Sequence, residues 1–410
     1  IGSYVGVQTS DFYDLARRPD SGVGPTYLAT GANHAVASGR LPYVLGLRGA
    51  SASVTTACST ALVCCHLARG GLDLSSTSEA ALVVAVNLNL LAAMTVGVAK
   101  AGMLSTKGQC HTLDELADGY VRSEGCAGLL LIDEKKASPV DARLAASAVR
   151  SDGVSASLTA PSGLAQQELL REALSDARSK NPGHVELHGT GTALGDPIEI
   201  GALAALKSEE HPTTTAVKAN VGHSETCSGG FGLTVLKVCA LSRAILAPQA
   251  KLHLLNSRLG HFATKFFGAT DATPEPSFEA SLVKQGGVSS FGFSGSIAHT
   301  RLSGAEDLSD EDVRVLVPVA ETLPPYPTKY RFELVCSTKP KPCGQVHVPA
   351  DAAAQPEPEK PIKTYEVVWG RESLATPPED TRDAWDYGND KVLIVGGGLD
   401  GVLSGGALKR

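Results

Sequence analysis

The sequence has no dense run of lysine and arginine, and this absence excludes two large classes of partner. Its 36 Lys and Arg residues are outnumbered by 43 Asp and Glu residues, so the formal net charge is −7 at pH 7. Proteins that bind nucleic acid or an acidic membrane surface typically concentrate positive charge on one face. We therefore expect neither nucleic acid nor an anionic membrane as a partner.

The sequence also lacks cysteines spaced as a C-x-x-C pair. The cysteine count is nine, which is odd, and Cys64 and Cys65 are adjacent. This usage is typical of reduced thiols and offers no zinc-ligand spacing. We predict no metal site and a reducing compartment, the cytoplasm, with a plastid as an open alternative.

An initiator Met and a signal-peptide pattern are absent before the first apolar residues. We therefore expect the chain to be part of a longer protein. An uncharged stretch at residues 80–99 has the length of a membrane span. Its valines are concentrated at one end (Val83, Val84 and Val86), which favours a buried strand, a turn and a buried helix. We predict no membrane span.

What is present is a regular alternation of strand-like and helical patterns through residues 1–303. The pattern predicts a helix that begins at or near Cys58 and closes at Gly70, a strand at residues 216–220, and a long apolar helix at residues 229–246. Strands that alternate with helices indicate the α/β class with buried sheets.

The composition changes after these elements. A Pro/Ala/Glu-rich stretch at residues 349–361 indicates a linker, and residues 365–369 look like a new strand. Gly396, Gly398 and Gly401 then follow a strand-like run with the spacing of a dinucleotide-binding turn. The sequence stops at Arg410, before the position of an acidic ribose partner, and an ordinary glycine-rich loop is the alternative.

Cys58 is the first candidate for chemistry. A thiol at a helix start faces the positive helix end and unpaired N–H groups, which lower its pKa and favour the thiolate. The alternative is a small buried cysteine with a packing role. Two histidines, His188 and His223, follow strand-like runs and are flanked by glycines that allow close approach. A thiol and two imidazoles together permit acyl transfer or hydrolysis through a thioester.

Five segments, in this order, resemble those of the β-ketoacyl synthases, specifically the ketosynthase domain of modular or multidomain polyketide synthases. They are residues 56–59 (TACS), 118–122 (DGYVR), 188–192 (HGTGT) with 195–197 (GDP), 218–223 (KANVGH) and 289–295 (SSFGFSG). The resemblance covers residues 1–303.

The resemblance implies a thiolase-like fold of two similar α/β halves in five αβαβα layers, usually as a homodimer. The first half would be residues 1–136, incomplete at its start, and the second half residues 137–303. Residues 304–362 would be a linker, and residues 363–410 the start of a possible Rossmann-like or ketoreductase region.

The resemblance also assigns site residues. Cys58, His188 and His223 would be catalytic, supported by Lys218 and Glu225, for which a simple buried Lys218–Glu225 ion pair is the alternative. The backbone N–H groups of Cys58 and Phe293 would form an oxyanion hole, and Phe293 would gate the acyl pocket. The substrate-binding residues would be Thr190, Thr192 and Phe291.

The implied function is that of an acyltransferase-type condensing enzyme in polyketide or related fatty-acid biosynthesis. Cys58 would accept an acyl chain from a carrier protein, and a malonyl-type extender would lose CO₂ and attack it. The ketosynthase itself would bind no cofactor, since its substrates are carried on the phosphopantetheine of acyl carrier protein. No acyltransferase pattern lies between the Pro-rich stretch at residues 323–327 and the strand at residues 365–369, so we expect the extender to be loaded by an acyltransferase from elsewhere. The alternatives are a non-catalytic ketosynthase-like partner or chain-length subunit, and a cysteine acyltransferase.

Two positions depart from the family pattern. Thr55 stands where the family usually has Asp before the Thr-Ala-Cys segment. Ile297 stands where the family commonly has Asn, and it removes an amide that would hydrogen-bond near the pocket.

Overall fold

The computed structural model describes residues 1–8, 11–18, 25–74, 78–133, 142–177, 183–206, 212–242, 249–262 and 285–304, with two further strands at residues 330–337 and 364–371. The strands are β1 (Gly2–Gly6), β2 (Ser51–Val54), β3 (Ala80–Asn87), β4 (Gly125–Ile132), β5 (Ala142–Ser151), β6 (His184–Glu186), β7 (Thr213–Thr215), β8 (Gln285–Phe291), β9 (Ser296–Gly304), β10 (Tyr330–Ser337) and β11 (Thr364–Arg371). The α-helices are α1 (Asp11–Ala16), α2 (Pro25–Gly31), α3 (His34–Leu45), α4 (Thr60–Leu74), α5 (Ala92–Lys100), α6 (Gly163–Asp176), α7 (Gly195–Ala204), α8 (Lys218–Val221) and α9 (Ser228–Ser242).

Two sheets organise the chain up to residue 304. The first has the order β2-β1-β3-β4, with β1 parallel to β2 and β3, and β4 antiparallel to β3. The second has the order β5-β9-β8-β6-β7, with β6 parallel to β7 and β8, and β9 antiparallel to β8 and β5. Each sheet therefore combines three parallel strands with an antiparallel neighbour.

The two sheets repeat one chain path. In the first half the path is β1-β2-α4-β3-β4, and in the second it is β6-β7-α9-β8-β9. Helices α4 and α9 thus occupy the same place in their halves. The loops that follow the parallel strands lie at the carboxyl edges of the sheets, where ligand sites usually form in α/β proteins.

The core lies between the two sheets and is built largely by α4 and α9. It joins Leu62 on α4, Leu236 on α9, Val83 in the first sheet and Val288 in the second. All four are at most 1% exposed. Burying each such side chain contributes about 1.5–3 kcal/mol, so this contact holds the halves together. Helix α6 packs against β5 and β9 of the second sheet, and α3 packs against β1 and β2 of the first. Helix α7 packs against α6, and its Ile200 and Leu203 share a core cluster with Val185 of β6.

Local sequence signals explain several element ends. Asn33 caps α3 by accepting a hydrogen bond from the N–H of Ala35 at 2.9 Å, and Gly46 ends the helix with a left-handed φ of +67°. Ser162 caps α6 by accepting from the N–H of Ala165 at 3.3 Å. These caps satisfy backbone groups that a helix leaves unpaired.

Several sequence predictions need correction. Helix α4 does not close at Gly70 but continues to Leu74, because the first-sheet contacts of its apolar face outweigh the weak helix propensity of glycine. Residues 216–220 are not a strand: β7 ends at Thr215, and Lys218 begins the short helix α8. The uncharged stretch at residues 80–99 does hold a strand followed by a helix, but none of the residues in that helix, α5, is buried. Hydropathy alone cannot say whether another layer covers a helix.

The strands β10 and β11 belong to a second compact unit. They pair antiparallel from Tyr330 opposite Arg371 to Ser337 opposite Thr364. Strand β10 thus lies inside the predicted linker, 304–362, and pairs with the first strand of the predicted region 363–410. That division stays a prediction.

Two other predictions concern residues outside the described ones. They are the glycine-rich turn with Gly396, Gly398 and Gly401, and most of the predicted linker. Among the described residues, no helix is long and apolar enough to cross a membrane.

Candidate functional site

Cys58 lies between β2 and α4, on a backbone turn that a non-glycine residue rarely adopts. Ala57, immediately before it, has a φ of +54°. Thr60 holds this turn, since its hydroxyl donates to the carbonyl of Ala57 at 2.6 Å and accepts from the N–H of Thr56 at 2.9 Å. The carbonyl of Cys58 accepts from the hydroxyl of Ser290 at 2.6 Å. The thiol is therefore fixed from both halves.

His223 occupies the equivalent place in the second half, after β7 and before α9. Its Nε2 lies 3.0 Å from Sγ of Cys58, and its side chain is fully buried. Its N–H donates to the carbonyl of Val121 at 2.8 Å, and its carbonyl accepts from the N–H of Ser123 at 2.9 Å. The segment 118–122 and the residue that follows it therefore hold the backbone of His223 in place through hydrogen bonds with Val121 and Ser123.

His188 follows β6 and completes a three-residue cluster. Its ring centroid lies 5.6 Å from that of His223, and the two rings are nearly perpendicular. The N–H of Phe291 donates to Nδ1 of His188 at 3.3 Å. A neutral imidazole that accepts at Nδ1 carries its proton on Nε2. His188 therefore has an Nε2–H group that can donate to a substrate oxygen.

The pKa values of both histidines are well below the ordinary range. Burial is the largest cause for each, and the nearby positive charge of Lys218 adds to it. His188 and His223 are therefore neutral at physiological pH. Neutral imidazoles can donate a hydrogen bond without carrying a charge into the site.

The pKa of Cys58 corrects the sequence prediction. Burial raises it to about 12, and the negative charge of Glu225 acts in the same direction. Lys218 and the backbone N–H groups of Phe293 and Cys58 act in the opposite direction. The helix end was expected to lower this pKa, but a thiol sealed from water ionises poorly without a stronger compensating charge. Cys58 is a thiol in the free protein.

The same observation bears on the predicted oxyanion hole. The N–H groups of Cys58 and Phe293 are close enough to Sγ to lower its pKa. The side chain of Phe293 is 45% exposed and lies in the turn between β8 and β9. Its exposure leaves it room to change position.

Lys218 is buried beside the cluster, with three buried carboxylates in its field. They belong to Glu186, Asp196 and Glu199. Burial raises the pKa of Asp196 to about 6 and that of Glu199 to about 7, while Lys218 acts to lower both. Lys218 therefore balances charge that would otherwise be buried without compensation.

Glu225 does not pair with Lys218. It binds Arg122 through both carboxylate oxygens, with Nε to Oε1 at 2.6 Å and Nη2 to Oε2 at 3.0 Å. The Lys218–Glu225 ion pair considered from the sequence is therefore wrong. The two residues are near in sequence, but the left-handed φ of Glu225, +46°, accompanies a different direction of the chain.

The remaining predicted residues lie around the cluster. Phe291 is buried, and its ring centroid is 5.4 Å from that of His188. Thr190 is buried, and the hydroxyl oxygen of Thr192 accepts from the N–H of Gly195 at 3.1 Å. Thr192 therefore helps to start α7, and its hydroxyl proton is left for another acceptor.

Sequence reasoning assigned no role to three residues that shape the site. Glu199 accepts from the N–H groups of His188 and Gly189 at 2.8 and 3.0 Å. The ring of Tyr120 meets that of His223 edge to face, with centroids 5.0 Å apart. Ser290 binds the carbonyl of Cys58. The available signal for Glu199 was that α7 carries two acids, Asp196 and Glu199, among apolar residues.

The two departures from the family pattern lie in different surroundings. Ile297 is fully buried in an apolar cluster with Ala148 and Leu169, beneath α6. Its side chain therefore has a packing role in this chain. Thr55 is exposed, one residue after β2. Among the described residues, no group of His, Cys, Asp and Glu could hold a metal ion.

Comparison with known families covers most of the described chain. Residues 1–137 match the family described as "Beta-ketoacyl synthase, N-terminal domain". Residues 141–253 match "Beta-ketoacyl synthase, C-terminal domain". The first match contains Cys58, and the second contains His188 and His223.

Among curated relatives, one component of the phenolphthiocerol/phthiocerol polyketide synthase of Mycobacterium tuberculosis is 37% identical over 320 residues. This match covers 75% of the chain and 17% of the relative. Another component of the same synthase is 36% identical over 312 residues, covering 72% of the chain and 20% of the relative. The chain thus spans about a fifth or less of the length of these relatives.

Two solved ketosynthase structures also superpose on this chain. The ketosynthase from module 6 of the bacillaene synthase of Bacillus subtilis 168 superposes with a TM-score of 0.63 and 30% identity, covering 74% of this chain and 54% of that one. The oxazolomycin ketosynthase domain of Streptomyces albus JA3453 superposes with a TM-score of 0.64 and 26% identity, covering 81% and 57%. The fold is thiolase-like, and the chain belongs to the β-ketoacyl synthase family as a ketosynthase domain of the polyketide synthase type.

Proposed function

We propose that this chain joins an acyl group held on Cys58 to a malonyl-type extender by decarboxylative Claisen condensation. The observation that carries the proposal is the 3.0 Å contact between Cys58 Sγ and His223 Nε2, beside a second imidazole whose centroid is 5.6 Å away. One thiol and two neutral imidazoles are the groups that acyl transfer and enolate stabilisation require.

Acyl transfer comes first. Sγ of Cys58 attacks the carbonyl carbon of an acyl thioester, a new C–S bond forms, and the donor thiol leaves with the proton that Cys58 releases. His223 Nε2 is within hydrogen-bonding distance of Sγ, so it can relay that proton. Because the free thiol ionises poorly, proton removal and attack occur together. The N–H groups of Cys58 and Phe293 stabilise the oxyanion that forms.

Decarboxylation and condensation follow. The bond between the α-carbon and the carboxylate of the extender breaks, CO₂ leaves, and the electron pair becomes an enolate of the thioester. The Nε2–H group of His188 stabilises the enolate oxygen, and His223 joins it in the tautomer that carries its proton on Nε2. The α-carbon then attacks the acyl carbonyl on Cys58. A C–C bond forms, the C–S bond breaks, and Sγ leaves as a thiolate that takes up one proton from solvent.

The other site residues would support these steps. Burial lowers the pKa values of both imidazoles, and the charge of Lys218 adds to this effect, so Lys218 would help to keep them neutral. The hydroxyls of Thr190 and Thr192 would bind the substrate arm, and Phe291 would hold His188 through its N–H. Phe293 would gate the acyl pocket, a role that its half-exposed side chain permits.

The partners follow from the chemistry. The relatives are polyketide synthase components, so we infer that the substrates arrive on the phosphopantetheine arm of an acyl carrier protein. We also infer a homodimer, with the extender loaded by an acyltransferase from elsewhere. The halves 1–136 and 137–303, the linker 304–362 and a reductase-like region 363–410 remain part of this proposal. Six of the cysteines are free thiols, namely Cys58, Cys64, Cys65, Cys110, Cys126 and Cys227, and we infer a reducing compartment from the cysteine usage.

Intact-protein mass spectrometry tests the proposal. The full chain is incubated with an acyl-pantetheine thioester and then with malonyl-carrier protein, while released CO₂ is measured. We expect an acyl adduct on the wild type that is absent from Cys58→Ala, followed by CO₂ and a β-ketoacyl product. A folded, carrier-binding protein without an adduct would be a non-catalytic partner. An adduct that is transferred or hydrolysed without CO₂ release would indicate a cysteine acyltransferase.

A further inference from the structure

One buried ion pair lies behind the cysteine and histidine cluster. Arg122 and Glu225 form a two-point contact, and their side chains are only 6% and 5% exposed. The remaining terminal nitrogen of Arg122, Nη1, donates to the hydroxyl of Thr95 on α5 at 2.7 Å. A two-point pair of a planar guanidinium and a carboxylate restricts distance and orientation together.

The pair joins the two segments that hold His223. Arg122 lies between Val121 and Ser123, which bind the backbone of His223 on both sides. Glu225 lies two residues after His223, at the start of the turn into α9. The main-chain hydrogen bonds and the ion pair therefore connect the same two stretches of chain.

Backbone conformation gives a second, independent observation. Glu225 has a φ of +46°, which is unfavourable for a residue with a side chain. Such a conformation persists only where the surrounding structure enforces it. Arg122 is the charged partner of the strained residue, so the ion pair can hold the turn in place.

The charges of the pair also act on the reacting groups. Glu225 raises the pKa of Cys58, second to burial, and Arg122 adds to the lowering of the pKa of His223, after burial and Lys218. With both charges present, the pair adds little net charge to the site.

We propose that the Arg122–Glu225 ion pair positions His223 and so holds its Nε2 at Cys58 Sγ. Both residues are positioning residues, since neither touches the reacting atoms. The inference rests on the proposed function, because its first readout is the condensation step.

Two substitutions separate geometry from charge. Glu225→Gln keeps the shape of the side chain, removes its charge and leaves Arg122 uncompensated. Arg122→Lys keeps the charge but cannot make a two-point contact. The matched control is Glu172→Gln, which removes one carboxylate from an exposed contact with Arg150 at 2.7 Å.

The two readouts are condensation per acylated enzyme and the rate at which iodoacetamide alkylates Cys58 as a function of pH. In Glu225→Gln we expect condensation to fall about ten- to a hundredfold. Alkylation at fixed pH should become about three- to tenfold faster, because a lower pKa yields more thiolate. In Arg122→Lys we expect a similar loss of condensation with alkylation within about twofold of wild type. Glu172→Gln should change neither readout.

Several outcomes would overturn the inference. Condensation within about twofold of wild type in folded Arg122→Lys would remove the positioning role. In Glu225→Gln, an unchanged alkylation profile would show that the charge of Glu225 does not act on the Cys58 thiol. If Glu225→Gln does not fold, Arg122→Lys decides the positioning role, and Glu225→Asp, which keeps the charge with a shorter reach, is compared with it. If acylated wild type makes no β-ketoacyl product, the proposed function fails instead, and the alkylation comparison still tests the pair.

Discussion

Cys58 and His223 occupy equivalent places in the two halves, because each follows the edge strand of its sheet and precedes the helix that packs between the sheets. Their surroundings differ. Next to Cys58 on the chain, the buried polar groups are the hydroxyls of Ser59 and Thr60. Among the described residues, the first half buries His111, Asp114 and the side chain of Arg122, apart from Cys58 and other cysteines. The second half buries a larger set of charged and titratable groups, which are His184, Glu186, Asp196, Glu199, Lys218, His223, Glu225, His299 and Arg301.

This difference shows that the same connection, from an edge strand to the helix between the sheets, can present side chains with different chemical roles. In the proposed function, the first half supplies the nucleophile on a tightly held turn, and the second half supplies the imidazoles and most of the charged groups around it. Glu225 and Lys218, both from the second half, act on Cys58 in opposite directions.

The largest effect should come from the first half. Cys58→Ala removes the nucleophile, so we expect condensation to fall at least about a thousandfold. Cys126→Ala is the matched control, because Cys126 is an exposed free thiol on β4. Intact-protein mass and product formation check both variants. An acyl adduct that persists in Cys58→Ala would place the nucleophile elsewhere.

Replacing either histidine, His188 or His223, should lower the rate of condensation less than replacing Cys58. We expect His188→Ala and His223→Ala to lower condensation by about 10²- to 10³-fold, the effect of losing one preorganised donor to a developing negative charge. His188→Ala should still be acylated at Cys58. His253→Ala, at an exposed histidine, is the control. Rates of acylation and of CO₂ release distinguish the steps, and full CO₂ release in both variants would contradict the division of tasks.

A buried histidine of the second half, His184, should make the stability of the protein depend on pH in the acidic range. Burial lowers the pKa of His184 to about 4 from an ordinary 6.5. Above pH 6.5 His184 is unprotonated in both the folded and the unfolded protein. Between pH 6.5 and about 4 the unfolded chain binds a proton at His184 and the folded protein does not. The free energy of unfolding therefore decreases as the pH falls through this range. The full shift corresponds to about 3 kcal/mol.

Urea unfolding of wild type and His184→Asn near neutral pH and at about pH 4.5 measures this contribution. The variant loses the hydrogen bonds of His184 to the hydroxyls of Thr213 and Thr215, so it should be less stable at neutral pH. We expect the gap between the two proteins to narrow by about 2–3 kcal/mol on acidification. His253→Asn should show no such change, and a constant gap for His184→Asn would contradict the prediction.

The smallest effects compare one glycine from each half. A Cβ on Gly189, whose φ is +42°, would lie 2.7 Å from Cβ of Ala216 and 2.8 Å from Cγ2 of Thr112. We expect Gly189→Ala to lower the free energy of unfolding by about 2 kcal/mol. A Cβ on Gly97, in the exposed part of α5, would meet nothing within 4 Å. Gly97→Ala should raise stability by about 0.5–1 kcal/mol. Urea unfolding measures the stability of both variants. If both substitutions changed the free energy of unfolding equally and in the same direction, the prediction would be wrong.

Much of the fold and the central site could be predicted from the sequence. Alternating apolar patterns indicated the α/β class, and the five ordered segments indicated the ketosynthase family. The order of the sheets and the repeat of β1-β2-α4-β3-β4 in the second half could not be predicted in this way, because strand pairing depends on contacts far apart in the chain. The exposure of α5 and the end of α4 were missed for the same reason.

The sequence by itself determined which side chains could react, since Cys58, His188 and His223 are recognisable from their immediate neighbours at strand ends. Only the tertiary structure decided their states. A pKa depends on the solvent and charges around a group, and those around Cys58 come from Glu225 and Lys218 in the other half of the molecule. The choice of Arg122 rather than Lys218 as the partner of Glu225 was decided in the same way, by the direction of the backbone after His223.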